Sequence, residues 1–210
     1  MLKHAMENLS KRSDLLTIAN ILPEGVRILD LGCGDGSLLK VLKGTKNVSG
    51  LGVEISEESI LECAANGVHV IHADLDEGLR IFADKSFDFV ILSQTIQNLQ
   101  SPDLVLDEMV RVGHKCIISI LNVGYFAARL QLTVWGRMPI TRSLPMKWYN
   151  TPNIHLSTIW DFKCLCHERG IEILQEIPLG QKNNLLAKLW PNIFAPTCVF
   201  VVSSEKAGTL

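Results

Sequence analysis

The chain reads as an α/β fold built on a doubly wound, mostly parallel sheet. Three observations carry that expectation. Strand-like and helix-like segments alternate from Asp14 to Leu121, which calls for parallel strands joined by helical crossovers. The runs Phe89–Leu92 and Ile117–Leu121 are almost continuously apolar, as strands buried on both faces are. A glycine-rich turn follows the first strand.

Taken in order, Leu15, Ile18, Ala19 and Leu22 recur at helical spacing with Pro23 behind them, which predicts a helix over Asp14–Leu22. A strand over Val26–Leu31 runs into the glycine turn, and a helix over Ser37–Leu42 follows. The pattern recurs as strand Val48–Ile55, helix Glu57–Ala65, strand Val68–His72, short helix Glu77–Phe82 and strand Phe87–Leu92. Helix Asp103–Val112 and strand Cys116–Leu121 come next. Helix Trp160–Arg169 and strands Ile171–Ile177 and Thr197–Val202 complete seven strands. Residues 122–152 fit neither period and read as a lid-like insertion after the fifth strand. One domain over residues 1–210 is expected, with a core of about 14–121 and 155–203 and an insertion of about 122–154.

Composition narrows the function classes. With 210 residues, 47% hydrophobic and 20% charged, the chain can bury a core without disulfides or metals. A formal net charge of −2 argues against a strongly basic nucleic-acid coat. The mean hydropathy of +0.22 calls for a check on membrane spans. The most apolar stretch, Cys116–Trp135, is interrupted by Ser119, Asn122, Gly124, Arg129 and Gln131, so no span is expected. Met1–Asp14 is polar and shows no signal peptide. Six cysteines are scattered with no Cys-x-x-Cys, consistent with reduced thiols and a cytoplasmic location. Cys164-Leu165-Cys166-His167 is not expected to hold a metal, because helical positions two apart point about 200° from each other.

The strongest local signal is Asp30-Leu31-Gly32-Cys33-Gly34-Asp35-Gly36. Glycines at the end of a first strand let the backbone approach a ligand closely. The spacing is G-x-G-x-G, not the G-x-G-x-x-G of a dinucleotide fingerprint. Asp30 can order the loop and face a cationic amine, whereas a pyrophosphate would not favour a carboxylate there. Glu54 ends the second strand, where an acid can accept both hydroxyls of a ribose. Asp74 ends the third, where it can accept from an adenine amino group with Leu75 packed beside the ring. Asp74 could equally be a helix cap. Phe87–Leu92 leads into Ser93-Gln94-Thr95 on the same rim of the sheet, and Asp88 reads as structural. The ordered set points to a nucleoside ligand.

These residues resemble the class I S-adenosylmethionine-dependent methyltransferases over about residues 26–121. The resemblance implies a Rossmann-like methyltransferase fold and S-adenosyl-L-methionine as cofactor. The binding set it implies is Asp30, Gly32, Cys33, Gly34, Gly36, Glu54, Ile55, Asp74, Leu75 and Ser93. In it Asp30, Gly32 and Gly34 would hold the methionine part, Glu54 the ribose, and Asp74 with Leu75 the adenine. The stretches Arg129–Leu132, Gly136–Thr141 and Trp148–His155 further resemble the bacterial methionine biosynthesis protein MetW family. That resemblance implies an association with homoserine O-acyltransferase. Asn150 is a departure, standing where the family pattern suggests an Asp.

Nothing in the sequence names a methyl acceptor. Ser93-Gln94-Thr95-Ile96 is not an Asn/Asp-Pro-Pro-Tyr motif, and no Pro-Cys nucleophile follows that strand. Candidate bases are His155, Tyr149 and His72. From Met109 to Trp160 there is no acid in 52 residues, while Arg111, Lys115, Arg129, Arg137, Arg142 and Lys147 make the segment +6 and leave −8 elsewhere. Such a segment can be a solvated face, or it can meet an anionic substrate or an acidic partner surface. Three functions are carried forward. One is a partner or regulator of the acyltransferase. A second is a methyltransferase acting on a small anionic metabolite. A third is an RNA methyltransferase, disfavoured by the small number of basic residues; DNA binding is not expected.

Overall fold

The computed structural model describes residues 9–180 and 185–204. Of the polar stretch Met1–Asp14, residues 1–8 therefore lie outside the described residues. The elements run α1 (Ser13–Ile21), β1 (Arg27–Leu31), α2 (Ser37–Lys46), β2 (Ser49–Glu54), α3 (Glu57–Ala65), β3 (His69–His72) and β4 (Phe87–Ser93). There follow α4 (Pro102–Val112), β5 (Gly113–Leu121), α5 (Phe126–Trp135), α6 (Ile159–Glu168), β6 (Glu172–Leu179), α7 (Leu185–Leu189), α8 (Pro191–Phe194) and β7 (Thr197–Ser203). Single 3-10 turns lie at Leu75–Glu77 and Ile96–Asn98.

The strands form one seven-stranded sheet in the order β3-β2-β1-β4-β5-β7-β6. β1 to β5 are mutually parallel, and β7 runs antiparallel to both neighbours. Successive residues of a strand face opposite sides of the sheet. Leu29, Leu31, Val90, Leu92, Ile118, Ile120 and Phe200 therefore meet α4 and α6 through Leu106, Met109 and Phe162. Ile28, Phe89, Ile91, Ile117, Val199 and Val201 meet α1 and α2 on the other face through Ile18, Leu38 and Leu42. Both faces are covered, which is why the central strands carry almost no polar residue. Asp30 breaks that pattern. It shares the face of Ile28, lies opposite Gly52 and Ile91, and is only 3% exposed.

Local sequence explains most element ends. Pro102 begins α4, where a missing N–H costs nothing. Thr158 and Asp161 form a reciprocal capping box at α6. Arg169 then ties the end of α6 to Asp103 and Asp107 of α4. Asp88 accepts from the Arg27 backbone N–H at 2.8 Å and from its guanidinium at 3.2 Å, the structural role its sequence context suggests.

Several expectations need correction. Residues 77–82 do not form an α-helix, and only Glu77 is in a 3-10 turn. The Asp74 carboxylate accepts from Asp76 N–H and opens a single 3-10 turn, which Gly78 ends at φ +85°. Beyond it Leu79 N–H is taken by the Glu108 carboxylate. Residues 122–152 are not wholly irregular, because α5 lies within them. Its apolar residues cover most of its circumference, with Arg129 and Thr133 on one side, so no narrow apolar stripe marks it. α2 continues past Leu42 to Lys46, and β5 begins at Gly113, which pairs with Phe87. No helix among the described residues is long and apolar enough to cross a membrane.

Phe200 is fully buried and packs its ring 4.6 Å from Phe162, joining the sheet to α6. Phe200→Ala is expected to cost about 3–5 kcal/mol in urea unfolding. A loss below about 1 kcal/mol would contradict this packing.

Candidate functional site

Strand order reverses at β1, whose neighbours are β2 on one side and β4 on the other. The crevice beyond the carboxyl ends of such strands is where open α/β sheets bind ligands. A cavity of about 340 Å³ opens there, lined by Arg12, Asp30, Gly32, Cys33, Gly34 and Ser93 among others.

The glycine turn shapes its floor. Gly32 has φ +67° and donates its N–H to the Val53 carbonyl at 2.8 Å, and Cys33 N–H reaches the same oxygen at 3.2 Å. A Cβ on Gly32 would meet Thr95 Oγ1 at 2.9 Å, so only glycine fits the position. Gly34, at φ +55°, has nothing within 4 Å of where its Cβ would stand, and that space is part of the cavity. Asp35 accepts from Ser37 N–H at 3.0 Å and Ser37 Oγ at 2.6 Å. It thereby occupies the start of α2, where a dinucleotide fold would place pyrophosphate.

Three carboxylates organise the electrostatics. No hydrogen-bond donor among the described residues reaches Asp30. Burial pushes its carboxyl up to about 7; nearby Arg12 opposes the rise and Glu54 adds to it. Asp14 is equally buried, and burial alone would raise it. Arg12 at 2.6 Å, Ser93 at 2.8 Å and Ser119 at 3.0 Å hold it below the usual range instead. Glu54 accepts from Gly34 N–H at 2.9 Å through one oxygen. Its other oxygen accepts from Ile55 N–H at 2.9 Å and Ser56 N–H at 3.0 Å. The oxygen bonded to Gly34 retains acceptor capacity, whereas the other already accepts two N–H groups.

The expected site residues divide accordingly. Asp30, Gly32, Cys33, Gly34 and Ser93 share the cavity, and Glu54 is bonded to its floor. Gly36, at φ +72°, packs against Cys63 and Val68 behind the loop. Ile55 is exposed and its carbonyl lies 3.1 Å from His72 Nε2. Asp74 caps its 3-10 turn, and Leu75 is buried in the core with Leu79 and Leu106. Cys33 and Cys63 bring their sulfurs to 3.8 Å, and burial pushes both thiols up, so neither is a ready thiolate. Cys164 is exposed and Cys166 buried, as opposite helix faces require.

The candidate bases are elsewhere. His155 is exposed and its backbone N–H bonds the Gln97 carbonyl. Tyr149 is exposed, edge-on to Trp148 and beneath Lys147. A second cavity of about 210 Å³ lies at the ends of β4 and β5 under residues 138–156. Gln94 and Asn98 line it with Met138, Leu144, Met146 and Trp148, and no lining residue is ionisable. Gln94 holds φ +54°, and the Asn98 Oδ1 atom is buried without a partner. Sequence reasoning missed Arg12 and Asp14, which belong to the site. Their signal, Arg-Ser-Asp at a helix start, is too common to single out.

The family described as "Methionine biosynthesis protein MetW" matches residues 12–202. The bifunctional methionine biosynthesis protein MetXA/MetW of Rhodopirellula baltica is 34% identical over 200 residues, 90% of this chain. The chain spans about a third of that relative's length, 32%. An S-adenosylmethionine-dependent methyltransferase from Mesorhizobium loti superposes with a TM-score of 0.68 at 18% identity, over 91% of this chain and 98% of that one. The [4+2]-cyclase SpnF superposes with a TM-score of 0.66 at 15% identity, over 93% and 82%. These structures share the fold, and their different printed activities show that the fold does not fix a reaction. The chain has a class I methyltransferase fold and belongs to the MetW family.

Proposed function

We propose that this protein binds S-adenosyl-L-methionine in the β1–β4 crevice and acts in methionine biosynthesis as a partner and regulator of homoserine O-acyltransferase. The observation that carries the cofactor is the buried Asp30 carboxylate, which has no hydrogen-bond donor among the described residues and faces a cavity beside Arg12. A zwitterionic amino-acid group fits that pair. Asp30 would take the ammonium. Arg12 spends Nε and Nη2 on Asp14 and Ser93, which leaves Nη1 for a carboxylate. Gly34 gives the ligand room at the turn. Glu54 would accept from the ribose through the oxygen that bonds Gly34, and Asp74 would face the adenine amino group. Bound there, the cofactor would supply an activated methyl group.

The partner reading is supported by the second cavity. A methyltransferase acting on a weak nucleophile needs a positioned base, and an anionic metabolite needs a cation. The lining of that cavity holds no base, and the nearby Arg137, Arg142 and Lys147 stand outside it on the exposed surface. The Rhodopirellula baltica relative, named for both MetXA and MetW, supports the choice of partner.

Calorimetry with S-adenosylmethionine tests the site. Glu54→Ala is expected to weaken binding about 10–100-fold, the worth of hydrogen bonds to a charged group, with the fold intact. Unchanged affinity would refute the ribose assignment.

The pH dependence has a definite sign. Asp30 holds its proton below about pH 7, and a bound ammonium needs the ionised form. Affinity should rise through pH 7, with a proton released on binding below it. In Asp30→Asn that slope should vanish. The ligand-free protein should lose stability relative to Asp30→Asn as pH climbs from about 4 towards 7, because the folded carboxyl keeps a proton that the unfolded one releases. Parallel melting curves across that range would contradict the assignment.

Homoserine O-acyltransferase assayed with and without this protein tests the role. A change in its activity that responds to S-adenosylmethionine is expected. No change at any ratio of the two proteins would overturn the role.

A further inference from the structure

Helix α5 is apolar over most of its circumference, yet of its ten residues only Ala128 is buried. A helix of that kind is stable when something covers it. Leu130, Leu132, Val134 and Trp135 are all more than half exposed. Gln131 bonds both the N–H and the carbonyl of Ile140 and so fastens the following segment to the helix. That segment exposes Met146, Trp148 and Tyr149. On the other side the Phe126 ring lies 6.0 Å from Phe194, and Phe194 lies 6.4 Å from the exposed Trp190. These contacts join the residues into one belt, where scattered exposed hydrophobics would need no explanation.

The second cavity opens within the belt, and Met138, Met146 and Trp148 belong to both. Arg137, Arg142 and Lys147 flank it, all exposed and without an ion pair among the described residues. No acid occurs between Met109 and Trp160 to neutralise them.

We propose that this belt is a docking surface for a partner protein whose contact face is apolar at its centre and acidic at its rim, with one apolar partner side chain seated between Met138 and Trp148. The proposal rests on the partner reading above and names homoserine O-acyltransferase as the occupant. Charge selects against a second copy, since two-fold pairing across the belt would set Arg137, Arg142 and Lys147 against their own copies. Shape selects against a lipid surface. A membrane-lying helix separates a cationic face from an apolar one, whereas here the one cation of α5, Arg129, is bonded to the Gly124 carbonyl and the apolar surface frames a concavity. In the Rhodopirellula baltica relative the two names share one chain, an arrangement that raises the effective concentration of one unit for the other.

The test is binding of purified homoserine O-acyltransferase from the same source, at two salt concentrations. The wild type is compared with Trp135→Ser/Trp148→Ser and with Arg137→Glu/Arg142→Glu/Lys147→Glu. The double tryptophan variant should bind about 30-fold or more weakly, as loss of central aromatic anchors does. The charge-reversed variant should associate more slowly and lose most of the salt dependence. Both should keep wild-type S-adenosylmethionine affinity and melting temperature, which shows that they are folded. Wild-type binding that both variants retain overturns the surface and leaves the partner reading standing. No binding by the wild type overturns both. Co-sedimentation with phosphatidylserine vesicles, or a wild-type dimer, that the same variants abolish would assign the belt to a membrane or to self-association and also overturns the proposal.

Discussion

The turn at the end of β1 is the constraint on which the site depends. Gly32 must reverse the chain at positive φ while its N–H and that of Cys33 converge on one carbonyl, Val53 of β2. Glu54, the next residue, holds Gly34 through its side chain. One strand thus clamps the loop leaving its neighbour at two consecutive positions. Thr95, after β4, closes the remaining side against Gly32. The loop is fixed by its own hydrogen bonds, and the crevice beside it stays open because Gly34 has no side chain to fill it.

A buried carboxylate is costly unless its charge is matched, and this site handles two of them in opposite ways. Asp14 collects Arg12, Ser93 and Ser119 and stays ionised. That cluster pins the start of α1 to the ends of β4 and β5. Asp30, on the same side of the sheet, receives none of these donors, and burial favours its neutral form. Arg12 lies between the two and is committed mainly to Asp14. The unmatched acid is the one that lines the cavity, which is where a cationic ligand group would find it.

The fold was legible because its rules are local and repetitive. Both faces of β1, β4 and β5 are covered, so each reads as an apolar run, and helical crossovers show their own period between them. The capping box of α6 and the proline at α4 mark their helices in the sequence. The reading failed where an element's environment is unusual. α5 is apolar over most of its circumference, so no narrow stripe distinguishes it. Residues 77–82 were misjudged because Asp74 and Gly78 close a single turn, and the Glu108 carboxylate, distant in sequence, takes the Leu79 amide that a helix would have used.

By itself the sequence determined the alternation of elements, the glycine turn, the acids at successive strand ends and the charge asymmetry of residues 109–160. Each is a property of neighbouring residues or of a simple count. Only the tertiary structure decided which acids share a cavity. Arg12, Asp14, Asp30, Ser93 and Ser119 come from distant parts of the chain, Asp14 and Ser119 lying 105 positions apart, and meet because β1 and β4 are adjacent at the sheet's switch point. It alone decided that Glu54 is bonded to the glycine loop and that the apolar residues of α5 face outward. Burial and partnership depend on packing between elements distant along the chain, and residue spacing carries no record of that.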